Sequence, residues 1–258
     1  VLSGRHGSAF GDYPALGAIV AHESRANSSV PPYVAVPYNP AFTWELGKSA
    51  FLGERCESFK AGDPKQQLTL SPKARQAFAI NREPESLHDR YGRTAAGQSM
   101  LLARRLVESG VRFVTVNADG WDHHAGIFEA MDRKLPELDL ALSALVEDMD
   151  DRGLLSETLL VVMSEFGRSP LINANGGRDH WPAASSVLFA GAGVKRGCVL
   201  GSTDRHGAYP TEQPVGPGDV AATILEAIGI DERKTLRNEN GRPTAILDRG
   251  QAIDNLFA

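Results

Sequence analysis

Two cysteines, Cys56 and Cys198, are all that the 258 residues contain, and they stand far apart. No C-x-x-C pair exists, so a paired-cysteine metal site is excluded, and the two are either free thiols or one disulfide. Surplus positive charge is missing too. Lys and Arg total 27 against 32 Asp and Glu, and a net charge of -5 argues against nucleic acid or an anionic membrane as main partner. No apolar run approaches the roughly 20 residues of a membrane span. Gly191-Ala192-Gly193 is too short to cradle a phosphate, and no Walker pattern occurs. No serine sits in a G-x-S-x-G elbow, which argues against serine-hydrolase chemistry. Internal repeats and low-complexity tracts are absent. So is a charged leader with an apolar core after Val1, and the chain reads as a processed or truncated product. What remains is an ordinary globular composition, 42% apolar and 23% charged, long enough for one large α/β domain with or without an appendage.

Against these absences one stretch stands out, residues 158–181, reading TLLVVMSEFGRSPLINANGGRDHW. Its opening six residues form a short apolar run rich in β-branched side chains. That favours a strand buried on both faces over a helix. The run stops at Ser164-Glu165-Phe166-Gly167-Arg168. In open α/β sheets, ligands bind beyond the carboxyl ends of the strands. A turn-rich segment, residues 173–177, then leads to Asp179-His180, and Gly120-Trp121-Asp122-His123-His124 follows an earlier apolar run.

Periodicity supplies the frame. Residues 1–72 are largely irregular, with a short helix within residues 13–22 and at most a short strand within the proline-bounded residues 31–37. His6 and His22 read as surface or helix-face histidines. The regular core spans residues 73–258. Pro72 suits a first helical turn. Residues 94–109 predict a helix with Met100, Leu101, Ala103, Leu106 and Val107 on its apolar face and Gly110 as a left-handed cap. Leu135, Leu138, Leu142, Leu145 and Met149 recur at spacings of 3, 4, 3 and 4, a core-facing stripe. Glu137, Glu147, Asp148, Asp150 and Asp151 would be its solvated face. Residues 217–228 predict a further helix, residues 199–201 a short strand, and the tail from Asp231 a loop with a short terminal element. Apolar strand-length runs alternating with helices predict an α/β fold. Its layered, parallel-type sheet is flanked by helices, with residues 111–116, 158–163 and 185–190 as neighbours.

The chemistry-bearing residues fall at the ends of those runs. Asp122 and His124, one residue apart, project to the same side of an extended backbone, with His123 pointing away. Carboxylate and neutral imidazole both ligate divalent metals. Glu165 is either a ligand or half of an ion pair with Arg168, and Asp179-His180 offers a third acid–imidazole pair. Each pair taken alone suits a capped turn or a surface ion pair. Their coincidence after apolar runs points to a metal site.

The motifs RYGR at 90–93 with Gln98-Ser99, GWDHH at 120–124, SEFGRSP at 164–170, GRDHWP at 177–182 and TDRHGAYP at 203–210 resemble the domain-of-unknown-function 1501 family over nearly the whole chain. That family resembles the alkaline phosphatase and sulfatase superfamily, whose members hold two divalent metals beside a parallel sheet. The resemblance implies one alkaline-phosphatase-like domain over residues 1–258 that lacks its amino-terminal segment. It implies Asp122, His124 and His180 as ligands of one metal (Zn, Ca, Mg or Mn), with Asp179 counted as a further metal residue. Glu165 would serve a second metal site, weakened because Phe166 stands where the superfamily has a histidine. Arg168, with Glu165, would act on the anionic group of a small phosphate or sulfate ester. The missing segment would carry a bridging aspartate and the nucleophile, and an export signal implying a periplasmic or extracytoplasmic home. The implied activity is metal-dependent ester hydrolysis. The alternative is a non-catalytic binding or structural subunit that keeps the fold and engages protein partners.

Overall fold

Parallel pairing is confined to one small sheet among the described residues, which in this computed structural model are 13–24, 29–37, 48–67, 70–238 and 240–258. Helix α1 (Leu16–Glu23) precedes β1 (Tyr33–Val36) and β2 (Phe59–Lys60). Then α2 (Pro64–Gln67), α3 (Pro72–Ala77), α4 (Glu85–Tyr91) and α5 (Ala95–Glu108) lead to β3 (Phe113–Val116). The long α6 (Ile127–Asp151) follows. Six short strands come next: β4 (Leu160–Val162), β5 (Gly167–Arg168), β6 (His180–Trp181), β7 (Leu188–Ala190), β8 (Ser202–Thr203) and β9 (Pro210–Glu212). Helix α7 (Pro217–Ala227) and a hairpin of β10 (Thr235–Arg237) and β11 (Pro243–Ala245) complete the regular elements.

The sheet has the order β2-β1-β3, all parallel, with Val34 opposite both Phe59 and Val114. Its middle strand is the proline-bounded segment that the sequence credits with little, and all four of its residues are buried. Alternation along the strands divides two cores, as a period of two requires. Val34, Val36 and Val114 join Leu106, Val111 and Ala74 on one side. Phe113 joins Leu16, Ile19, Val220 and Leu225 on the other, so α1 and α7 cover that face. Gly17 makes the approach of α1 possible, because a Cβ there would lie 2.5 Å from the Tyr33 ring.

Residues 158–163 and 185–190 depart from the expected parallel arrangement. Their strands β4 and β7 pair with each other antiparallel, Leu160 opposite Ala190 and Val162 opposite Leu188, in a separate two-stranded sheet. The reason lies in the connection. No helix occurs between residues 163 and 187, only turns and the β5–β6 pair, and a parallel return needs a crossover of helix size. Val161 and Phe189 nevertheless pack on the same core as Phe113, and Leu160 shares a core with Val116. The runs are therefore neighbours in packing and not in one sheet. β4 is only partly buried along its length, which corrects the two-faced burial its composition suggests.

The helices follow the sequence closely. Thr94 caps α5, its hydroxyl accepting from the Gly97 N–H at 3.2 Å, and Gly110 takes φ +94° at the other end. In α6 the buried face is Ala130, Ala141, Ala144, Leu145 and Met149, and Leu135 at the head of the expected stripe is exposed. Asp148, expected in solvent, is buried. Residues 199–201 form no strand; pairing begins at Ser202. His22 is exposed, and His6 lies outside the described residues. Cys56 and Cys198 are free thiols, and no described helix is long and apolar enough to cross a membrane.

Candidate metal centre

Asp122, His124, Asp179 and His180 are brought together by two loops laced along their backbones. Residues 123–127 lie against residues 173–178. The Arg178 N–H donates to the His123 carbonyl at 3.0 Å, and the Gly126 N–H to the Asn175 carbonyl at 3.2 Å. The Ile127 N–H donates to the Gly176 carbonyl at 2.9 Å. Gly177 permits this closeness, since a Cβ there would sit 2.1 Å from the His124 carbonyl carbon. On the far side, β5 pairs with β6, placing Arg168 opposite His180. Gly167 is again required, because a Cβ would meet the Ala184 carbonyl oxygen at 1.8 Å. Pairing between loops, rather than the edge of a parallel sheet, therefore assembles the site.

Three ligand-type atoms converge. Asp122 Oδ1 lies 2.9 Å from His180 Nε2 and 3.1 Å from His124 Nε2, and the two Nε2 atoms are 3.2 Å apart. Arg168 also donates to Asp122 Oδ1, at 2.6 Å, and to the Arg178 carbonyl at 3.2 Å. The hydrogen bond from His180, then that from Arg168, holds the Asp122 carboxyl down at about 2. Asp179 stands one shell further out. Its Oδ1 is 2.8 Å from His124 Nδ1, the ring nitrogen that faces away from Asp122, and it accepts from Asn173 Nδ2 at 3.1 Å. These hydrogen bonds, His124's first, lower the Asp179 carboxyl as well. The Phe166 ring lies 4.2 Å from the His180 ring and packs beneath the Arg168 guanidinium at 5.6 Å. The three converging side chains are about half exposed, at 65% for Asp122, 48% for His124 and 46% for His180.

The sequence-derived candidates thus separate. Asp122, His124 and His180 form a group whose ligand atoms all lie within 4.8 Å of one another. Arg168 faces this group and grips Asp122. Glu165 is exposed at the exit of β4 and makes no ion pair or hydrogen bond among the described residues. Asp179 touches His124 and stands outside the group. His123 is not a member either; its Nδ1 is buried without a hydrogen-bond partner. Asn173 was missed by sequence reasoning. Its signal was the turn-rich NANGG, where an asparagine side chain bonds its own loop.

The structure therefore defines a mixed α/β protein with a small parallel sheet and a surface His–Asp cluster built by interlocked loops. The family described as "Protein of unknown function (DUF1501)" matches residues 63–257, and the chain belongs to it. That span holds every residue of the cluster and β3, while β1 and β2 precede it. No curated protein and no solved structure matches the chain.

Proposed function

We propose that the chain is a divalent-metal protein of the phosphatase and sulfatase type, with Asp122, His124 and His180 as ligands and phosphate or sulfate esters as substrates. The observation that carries this is the convergence of one carboxylate oxygen and two imidazole nitrogens at separations of 2.9 to 3.2 Å. Tetrahedral ligands at about 2.0–2.1 Å from zinc stand roughly 3.3–3.4 Å apart, so the donors fit one small ion after minor adjustment. Two imidazoles favour zinc over calcium or magnesium.

Held by Asp122, His124 and His180, such an ion would supply Lewis-acid chemistry, polarising an ester oxygen and activating a nucleophile. The chain's own residues do the rest. Arg168 fixes the Asp122 carboxylate, and its planar fork suits a tetrahedral oxyanion as well as a carboxylate. Phe166 supports both the His180 ring and the guanidinium from below. Glu165, exposed at the exit of β4 and without an ion pair among the described residues, is the carboxylate the resemblance assigns to a second metal. An alkaline-phosphatase-like architecture and a periplasmic or extracytoplasmic home accompany this proposal through family resemblance alone.

A second reading is a metal-holding protein without catalysis, acting as a binding or structural subunit. The half-exposed ligands and Phe166 beside His180 favour it. One experiment separates the possibilities. Elemental analysis of the purified chain and its His180→Ala variant is paired with p-nitrophenyl phosphate and p-nitrophenyl sulfate turnover. Hydrolysis and about one metal per chain, both lost in the variant, support the enzyme. Metal without turnover supports the subunit, and equal trace metal in both proteins ends the metal proposal.

A further inference from the structure

We infer that Asp179, itself held by Asn173, is a positioning residue that fixes the ring of His124 with Nε2 bare toward Asp122 and His180. The inference rests on the metal proposal above for its purpose but not for its geometry. A carboxylate only accepts hydrogen bonds, so the contact of 2.8 Å between Asp179 Oδ1 and His124 Nδ1 requires the proton on Nδ1. In a neutral imidazole that leaves a lone pair on Nε2, the atom 3.1 Å from Asp122 Oδ1 and 3.2 Å from His180 Nε2. The outer partner of a ligating histidine sets its tautomer and ring orientation in this way.

Asn173 makes the arrangement rigid. Its Oδ1 accepts from the N–H groups of Asn175 at 3.0 Å and Gly177 at 2.9 Å. Two backbone donors on one atom fix which end of the amide is oxygen, so Nδ2 faces the acceptors. Nδ2 then donates to Asp179 Oδ1 at 3.1 Å and to the His124 carbonyl at 3.0 Å. One side chain thereby ties the loop, the orienting carboxylate and the backbone of the histidine it orients.

The test uses the full chain, freed of metal, at pH 8. Long-range proton–nitrogen NMR reads the His124 tautomer in the wild type, Asp179→Ala and Asn173→Ala, and zinc titration calorimetry reads affinity in the same proteins and in His124→Ala. The expected results are an Nδ1-protonated His124 in the wild type and a mixed or Nε2-protonated ring in Asp179→Ala. Zinc affinity should fall about 10- to 100-fold in Asp179→Ala with stoichiometry retained, less in Asn173→Ala, and beyond detection in His124→Ala. Restoring an acceptor with Asp179→Asn should recover part of both signals. A wild-type ring protonated on Nε2, or the same tautomer in Asp179→Ala and the wild type, overturns the inference. So does zinc bound as tightly by Asp179→Ala as by a zinc-binding wild type. Wild-type protein that takes up no zinc overturns the metal proposal instead, and the tautomer measurement still decides the role of Asp179.

Discussion

At the scale of single residues, the centre depends on glycines as much as on ligands. Gly177 and Gly126 lie on the two laced loops but for different reasons. A Cβ on Gly177 would collide with the backbone of His124 and Ala125 at 2.1 and 2.3 Å, whereas a Cβ on Gly126 would meet nothing and only its φ of +57° is special. Backbone cannot move aside as a side-chain tip can, so Gly177→Ala should lower stability by about 1–3 kcal/mol and weaken zinc binding. Gly126→Ala should cost about 1–2 kcal/mol from its left-handed backbone and leave zinc binding nearly intact. Urea unfolding and zinc calorimetry on both variants check this; equal zinc affinities would remove Gly177 from the assembly of the site. The converging residues themselves were readable. Asp122, His124 and His180 stood out because acid–imidazole pairs are conspicuous in a chain with seven histidines. What sequence could not supply was the direction of each ring nitrogen, and so Asp179 was counted with the ligands rather than behind one.

At the scale of elements, the packing of α5 on α6 turns on Arg104, which is 1% exposed. Its side chain meets Glu108 at 2.6 Å, Asp148 at 2.9 Å and Glu83 at 3.0 Å. Nε and Nη2 approach Asp148 and Glu83 off-axis, so those two are contacts of charge more than hydrogen bonds. Tyr91 and Arg152 donate to Asp148 from either side, at 2.9 and 2.7 Å, and Arg105 also pairs with Glu83. Burial alone would raise both carboxyls, but the hydrogen bonds and charges of these partners outweigh it, and Asp148 and Glu83 are both lowered. Arg104→Ala strands buried carboxylates and should cost about 3–5 kcal/mol at pH 7.

The pH dependence follows from the sign of those shifts. A lowered carboxyl contributes its stability in full above its unfolded value of about 4 and loses it as pH falls through its folded value. The gap between wild type and Arg104→Ala in urea unfolding should therefore narrow from pH 5 to pH 3. A constant gap would mean that the charges of this network do not carry its stability. Hydrophobic periodicity could not foresee the network. It placed Asp148 on the solvated face because it counts apolar side chains, and the face that packs on α5 combines the expected Leu145 and Met149 with Ala141, Ala144 and paired charges.

At the scale of the whole molecule, the alternation of helices and strands was readable but the sheet that holds them was not. A proline-bounded segment of four residues proved to be the middle strand, since Pro31 and Pro37 flank the ladder and Pro32 joins it only through its carbonyl, which accepts from the Phe113 N–H at 3.1 Å. The most strand-like run, residues 158–163, sits outside the parallel sheet because a helix-free excursion follows it and returns antiparallel. That excursion, residues 163–187, carries half of the candidate metal centre, and the loop before α6 carries the other half. The excursion reaches the core at its two ends, through Met163 and Val187, and the halves are fastened to each other by the backbone bonds of residues 123–127 with 173–178. A ligand that bridges the halves must then tighten both at once. Anything bound by the native state alone stabilises it by RT ln(1 + [L]/Kd), and here the gain should appear locally. In hydrogen exchange read by mass spectrometry, zinc at pH 7.5 should slow residues 121–127 and 171–181 together and leave α5 and the buried face of α6 unchanged. At pH 5 the effect should fade, because histidine must be neutral to bind the ion. Protection of one loop without the other would show that the ion rests on a single strand exit and that the interlocking of the loops is incidental to it.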